Sequence, residues 1–470
     1  MSIDTVHPLY DDRKAEWETM RHIKRGAKAV KEKGEAYLSK PSGFNAQTDG
    51  GLAMYAAYKV RAQFPDLLRP TLLGMVGLVH RIEAQIDLPA AMKPITERAT
   101  RFGLTLEALH KKITFELLLQ GRYGLLVDAP EDGADLPFIA GYSAESIINW
   151  SEKRDLFVLD ESGLVRADYQ WVDRKKFRAL RLEDGVYRQV LESHAGENDD
   201  QRDRDLTPTV RGGGVLDEIP FVMIGGTSLD VDPEDPPLHG VAQGALAIYR
   251  LDADYRHQLF WSGQETLFCF GIPTEELPRT VGAGVVVGFP AQPGVDAKYV
   301  GPSGVGITAH RQAIVDEREA AVAAGARVLD TSQRSGVESG YALQLRHAAQ
   351  SATLQTVAIT GAQGLEKALR YVARFIGAPE EEVVVKPNLK FVETAMTPGD
   401  AEALVRLWQS NGISKRTLYE NLQRGEIASP ERTFEEEEGL IESEAPYEAP
   451  EEPGADPEDE PDDPEDVRSA

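Results

Sequence analysis

Asp252 and Asp254, followed by Tyr255 and Arg256, are the carboxylate pair in this chain that could act as a general acid and base. On a helix, residues two apart do not face each other. The two carboxylates alternate with apolar positions, so they read as markers of a solvent or subunit face. Glycine-rich Gly282 to Gly288 invites comparison with phosphate-cradling loops, but it holds no Lys or Arg and sits among valines, which reads as turns between short strands. No Gly-x-x-x-x-Gly-Lys-Ser/Thr stretch occurs, so nucleotide hydrolysis by this chain alone is not expected. The nine histidines are scattered, with no His-x-x-x-His spacing, and Cys269 is the single cysteine. We therefore expect no metal site, no cofactor, no disulfide within the chain and no enzymatic activity.

Charge narrows the partners. Residues 434–470 hold 17 acids and one base; setting their net −16 against the total of −26 leaves −10 for residues 1–433. No basic stripe of the kind a tight DNA binder uses to neutralise phosphate is visible. Without an apolar leader after a basic stretch, or a run of 18 or more apolar residues, neither a signal peptide nor a membrane span is expected.

The elements that would position any site can be read from periodicity. A helical opening occupies residues 1–40, broken at Gly34, and short helices fill 51–83 around Pro65 and Pro70. Thr105 to Gln120 has one apolar face (Leu106, Leu109, Ile113, Leu117, Leu118) and stops at Gly121. The period then changes to that of strands: Tyr123–Val127, Phe138–Tyr142, Ile147–Trp150, Leu156–Leu159, Tyr169–Val172, Lys176–Leu182 and Val186–Leu191. Residues 193–214 read as an exposed polar loop, and Ile219–Ile224 as a strand.

Pro236 and Pro237 open a helix that runs to about Ser262. Short β pieces fill 265–308, a helix runs from His310 to Leu329, and another from Tyr341 to Ile376. This last would be about 50 Å long, so a bend is expected, with Gly361 and Gly364 placed for a kink. A strand at 382–392 and two short helices come next, the first capped by Thr397 before Pro398 and the second begun by Ser414; the acidic tail is expected to be disordered. Residues 309–326 are rich in alanine (Ala309, Ala313, Ala320, Ala321, Ala323, Ala324, Ala326), which lets helices approach closely but offers little apolar area for a monomer core. The plain alternative is a surface helix of high propensity. The loop at 330–340 is polar, and is either a connector or a functional element held between two long helices.

Five stretches, in this order and spacing, are shared with a known family: Gly121-Arg-Tyr-Gly-Leu-Leu-Val-Asp128 followed by Pro130, Tyr142-Ser-Ala-Glu-Ser-Ile-Ile-Asn-Trp150, Ile219-Pro-Phe-Val222, Pro236-Pro-Leu238, and Tyr249-Arg-Leu-Asp-Ala-Asp-Tyr-Arg256. Over about residues 5–430 the chain resembles the portal proteins of tailed bacteriophages. The resemblance implies an α+β portal fold with wing, two-helix stem, small β-rich clip, long kinked helix and short helical crown. The wing would be 1–237 with the strand 382–392 returning to it, the stem helices 238–262 and 309–329, and the clip 263–308. The tunnel loop would be 330–340, the kinked wing helix 341–377, the crown 397–432 and the acidic tail 434–470.

For function the resemblance implies a structural subunit, not an enzyme: a ring, usually of twelve copies, at one capsid vertex of the virion, assembled in the host cytoplasm. Double-stranded DNA would be packaged and ejected through it. The implied partners are the large terminase subunit (the packaging ATPase), major capsid and scaffolding proteins and a head-tail adaptor, with no membrane. Gln333, Arg334, Ser335 and Gly336 would touch the DNA weakly, since each phosphate held firmly would brake sliding. Ala313, Ala320, Ala324, Tyr249 and Arg256 would lie between subunits of a closing head-to-tail ring. The competing readings are another head-to-tail connector, which should be much shorter, and an enzyme on an unrecognised α+β fold.

Overall fold

The computed structural model describes residues 2–42, 44, 49–128, 136–194, 204–263, 266–273, 275, 293–300, 305–326, 340–389, 391, 398–424, 427–429 and 432–443. The chain divides into two compact units, Met1–Phe391 and Val392–Ala470.

The first unit opens with α1 (Pro8–Arg25), α2 (Ala27–Glu32), α3 (Asp49–Arg61) and α4 (Leu68–Val79), then β1 (Gln85–Asp87) and α5 (Leu106–Gln120). The opening helix breaks at Gly26, earlier than the expected Gly34. α5 is the helix the sequence marked: Thr105 Oγ1 accepts from the Ala108 amide, and Gly121, left-handed at φ 70°, returns its amide to the Leu117 carbonyl. Only glycine suits position 121, because a Cβ there would also lie 2.9 Å from the Glu234 carbonyl oxygen. α5 is buried on most sides, Ile113, Leu117, Leu118 and Leu119 being fully covered.

Nine strands come next: β2 (Arg122–Asp128), β3 (Phe138–Ser143), β4 (Ile147–Trp150), β5 (Leu156–Asp160), β6 (Gly163–Ala167), β7 (Gln170–Glu183), β8 (Val186–His194), β9 (Arg204–Leu206) and β10 (Phe221–Gly225). They build a three-stranded sheet, β10-β2-β3, and a larger sheet ordered β4-β5-β7-β8-β9 with β6 beside β7. All pairings are antiparallel. Two expectations change here. The pieces expected at Tyr169–Val172 and Lys176–Leu182 merge into one 14-residue strand from Gln170 to Glu183, with Tyr169 in the turn before it. The polar stretch 193–214 contains β9, which pairs with the edge of β8, and a bridge from Thr209 to Val215.

A half-buried ionic group joins the two sheets. Asp128 at the end of β2 accepts from Arg178 of β7 at 2.8 Å and from Gln189 of β8 at 3.1 Å, while Glu161 accepts from Arg178 at 2.6 Å and from Tyr142 at 2.7 Å. Burial alone would raise the Glu161 pKa, but Arg178 and Lys176 bring it down to about 2, so the group stays charged and paired. Arg21 plays the same part for α1, donating to Glu116 of α5 at 2.6 Å and to Glu145 at 2.8 Å.

The remainder of the unit is α6 (His239–Ser262), β11 (Thr266–Phe270), β12 (Asp296–Val300), α7 (Val305–Ala326), α8 (Gly340–Ile376) and β13 (Val384–Lys386). α8 crosses the three-stranded sheet and α5, burying Leu354, Ala358, Leu365, Leu369 and Val372. Its helical pattern is uninterrupted through Gly361 and Gly364. Both glycines sit where another element comes close: a Cβ at Gly364 would lie 2.3 Å from Ile224 Cδ1, and one at Gly361 would meet Ile113 at 3.5 Å. The strand expected over 382–392 is confined to Val384–Lys386, and it returns to the first part of the chain by pairing with β1.

In the second unit, α9 (Pro398–Gln409) and α10 (Lys415–Arg424) fall where two short helices were expected; Thr397 lies outside the described residues, while Ser414 Oγ accepts from the Thr417 amide at 3.1 Å. A third, α11 (Phe434–Ser443), corrects the expectation of disorder from 434 onward. Its start is a capping box: Thr433 Oγ1 accepts from the Glu436 amide at 3.3 Å and Glu436 Oε2 from the Thr433 amide at 2.9 Å. Residues 444–470 lie outside the described residues.

Candidate interaction arm built from two helices

α6 and α7 form an antiparallel pair whose spacing is set by residues without bulk. A Cβ at Gly244 would lie 2.5 Å from Ala321 Cβ, one at Gly240 3.2 Å from Ala324 Cβ, and one at Gly325 3.1 Å from Val241. At the other end of the pair, Gly306 meets Gln258. Glycine and alanine four residues apart on each helix thus give a smooth seam and a close crossing. β11 and β12 pair antiparallel between the two helices, Thr266 against Val300 and Phe270 against Asp296. Of the β-rich segment expected over 265–308, the described part gives this two-stranded sheet, while residues 305–308 already belong to α7, which begins before the expected His310; Gly282 to Gly288 lie outside the described residues.

The base of α6 is fixed firmly. Val241, Ala245, Leu246, Ile248, Tyr249 and Ala253 are buried. Tyr58 of α3 donates to Asp254 Oδ1 at 2.5 Å, and the Gln63 amide donates to Asp252 Oδ2 at 2.6 Å. Burial, reinforced by that Asp254 contact, pushes the Tyr58 phenol well above its usual pKa and keeps it a donor. Arg250 donates to the Tyr37 carbonyl at 2.9 Å. The connection entering α6 is held from below by Arg122, whose guanidinium lies 3.9 Å from the Trp150 ring centroid and donates to the Val231 carbonyl at 2.9 Å. Burial pulls the Arg122 pKa down to about 9, against the pull of Asp232.

The outer part is different. Beyond Ala253 no described residue of α6 is fully buried, and of α7 only Ala321 and Gly325 are. Trp261 is 49% exposed, Val322 51% and Tyr299 55%. Val315, Phe268 and Phe270 are likewise open to solvent.

These positions revise the expected interface. Tyr249 is 1% exposed and packs edge-on against Phe64, so it belongs to the chain's own core and not to a surface between copies. Arg256 is half-buried and donates to Asp252 at 2.8 Å within its own helix. Ala324 faces Gly240 inside the chain. Ala313 is half-exposed and Ala320 exposed. Asp254 is exposed, as a solvent face requires, and also accepts from Tyr58 of α3, while the half-buried Asp252 accepts from the Gln63 amide in the segment after α3. Gln333, Arg334, Ser335 and Gly336 lie outside the described residues. Sequence reasoning passed over Gly240 and Gly244; their four-residue spacing, matched by Ala321 and Gly325, was the available signal.

Among the described residues no helix is long and apolar enough to cross a membrane, and no cluster of His, Cys, Asp and Glu suits a metal ion.

A family model described as a domain of unknown function (DUF4055) matches residues 237–376, the span from the start of α6 to the end of α8. No curated protein matches. Among solved structures the chain is similar to a component of the neck of an empty gene transfer agent particle, computed with C6 symmetry, at 14% identity and a TM-score of 0.40, covering 77% of this chain and 90% of that one. A chain from the virion of a native gene transfer agent particle gives 14% identity and a TM-score of 0.40, with 83% and 96% covered. One from the neck of the native particle, computed with C12 symmetry, gives 15% and 0.36, with 84% and 98% covered.

Proposed function

We propose that the chain is a portal subunit of a tailed phage or phage-like particle, in which copies close into a ring around a DNA channel. The observation that carries this reading is α7: a 22-residue helix with only two of its described residues buried, next to an α6 whose outer half leaves Leu259, Phe260 and Trp261 exposed. An isolated helix of this kind has little to hold it, because helices in proteins draw their stability from a covered apolar face. Neighbouring copies would provide that cover, each presenting one side of the arm to the next in a heterologous contact.

The order of the shared motifs supports the same assignment. So does the arrangement of two antiparallel helices, a two-stranded tip and a long helix laid across the sheet. On this reading the arm is the stem and clip, residues 330–340 are the tunnel loop, and the packaging ATPase and head-tail adaptor dock on the ring. A channel wall with a modest net negative charge lets duplex DNA slide, since it holds few phosphates.

Negative-stain microscopy and mass measurement of the purified full chain test the proposal. Rings with a central hole support it; a compact monomer at all concentrations overturns it. Within such a ring, Arg334→Ala leaves assembly intact and changes DNA packaging or retention. Unaltered packaging and retention in a complementation assay would remove Arg334 from the channel.

A further inference from the structure

Away from the helix pair, Arg98, Arg101 and Arg211 line one cavity of 470 Å³ whose apolar wall includes Leu136, Phe138 and Ile376, and among the described residues no carboxylate lines it. Three backbone hydrogen bonds fix these walls: Ile139 N–H to the Ala99 carbonyl at 2.9 Å, Ala99 N–H to Leu104 at 2.8 Å, and Arg211 N–H to Phe375 at 2.7 Å. The guanidinium groups therefore hang from a preformed frame that joins the loop after β1, the start of β3 and the C-terminal end of α8. Among the described residues neither Arg98 nor Arg211 forms an ion pair. Residues 1–433 carry a net charge of −10, and three arginines at one cavity run against that balance.

The two halves of the cavity ask for different things. Arginine forks pair with carboxylates or phosphates in bidentate geometry. The wall of Leu136, Phe138 and Ile376 gains only from an apolar side chain, at about 25 cal/mol per Å² covered. A DNA duplex offers phosphates on a convex surface and nothing to seat on that wall. An extended peptide offers both groups within a few residues, and the volume falls in the range of ligand pockets.

We propose that this cavity docks an acidic peptide segment of a partner protein, whose carboxylates pair with Arg98 and Arg211 while an apolar side chain seats on Leu136, Phe138 and Ile376. The site does not depend on ring formation, so its failure and that of the ring are separate outcomes.

Fluorescence anisotropy of the full chain with a labelled peptide of alternating glutamate and leucine provides the test. Saturable binding is expected, weakened by about tenfold or more in the Arg98→Gln, Arg211→Gln double variant. Both arginines are exposed, so an unchanged melting temperature is the expected control. Leu136→Ser weakens binding with the charges intact, and a glutamine-leucine peptide does not saturate. Lack of saturation by the glutamate-leucine peptide, or equal binding by the double variant, overturns the proposal. Displacement of the peptide by a short DNA duplex, with Leu136→Ser indifferent, gives the site to nucleic acid and overturns it equally.

Discussion

Tyr58 donates its phenolic hydrogen bond to Asp254 at 2.5 Å, joining α3 to α6 at the point where α6 leaves the core. Inside this contact His257 packs edge-on against both Tyr58, at 5.5 Å, and Phe44, at 5.4 Å. Tyr58→Phe keeps the ring packing and removes only the donor. A buried hydrogen bond to a charged group is worth about 1.5–3 kcal/mol, but the exposed side of Asp254 rehydrates, which puts the loss nearer about 1 kcal/mol. Urea unfolding is expected to show a lower midpoint with an unchanged slope. An unchanged midpoint would mean that the bond does not hold α6 down.

Gly244 and Ala321 set the closeness of α6 and α7, a Cβ on Gly244 falling 2.5 Å from Ala321 Cβ. Gly244→Ala therefore forces the helices apart despite its better helix propensity, and is expected to cost about 1–3 kcal/mol. Ala321→Gly in the same chain returns the lost space. The double-mutant cycle should thus show a favourable coupling of about 1 kcal/mol. Additive effects would place the two helices farther apart than this geometry.

What the sequence disclosed was the local grammar. Thr105 and Gly121 bracket α5, and Pro236 with Pro237 announces α6, because caps and prolines act within a few residues. β6 went unseen because all five of its residues are exposed, so no face had to be apolar. β9 is strand only because the edge of β8 is beside it. α11 was hidden by its acidic composition, although the Thr433 and Glu436 capping box was there to read. For the candidate arm, helical spacing showed that Tyr249 and Ala324 lie on contact faces. It could not tell a contact with the chain's own core from one with another copy, because both demand the same small or apolar residues.

His110 of α5 is 2% exposed, and its ring stands perpendicular to that of His80 at 4.7 Å. Burial first, and the neighbouring His80 second, lower its pKa from 6.5 to about 3. His80, half-buried and facing Lys111, falls to about 4, and Thr114 is its hydrogen-bond partner at 2.9 Å. A base whose folded pKa is depressed binds its proton first in the unfolded chain. Stability is therefore complete above pH 6.5 and falls as the pH drops toward about 3. For His110 the slope is about 1.4 kcal/mol per pH unit. Unfolding free energies between pH 7 and pH 4.5 should fall less steeply in His110→Phe than in the parent. Parallel profiles would show that His110 is accessible to protons in the folded state.

Ala320 and Ala321 are neighbours on α7 with opposite surroundings: Ala320 is exposed, and Ala321, at 2% exposure, lies against Gly244. Ala321→Glu would bury a carboxylate with no partner, so it should unfold the base of the arm and lower the melting temperature. Ala320→Glu touches nothing in its own chain and should leave the monomer's stability within about 0.5 kcal/mol. Its effect is reserved for assembly, because a charge on the uncovered side of α7 must be desolvated when another copy packs there. On a sizing column with mass detection, the proposed portal reading expects rings from the parent and a folded monomer from Ala320→Glu. Rings from Ala320→Glu would move the contact between copies to another side of the arm, with Val315 and Val322 the next positions to carry the charge, since both are exposed on the same helix.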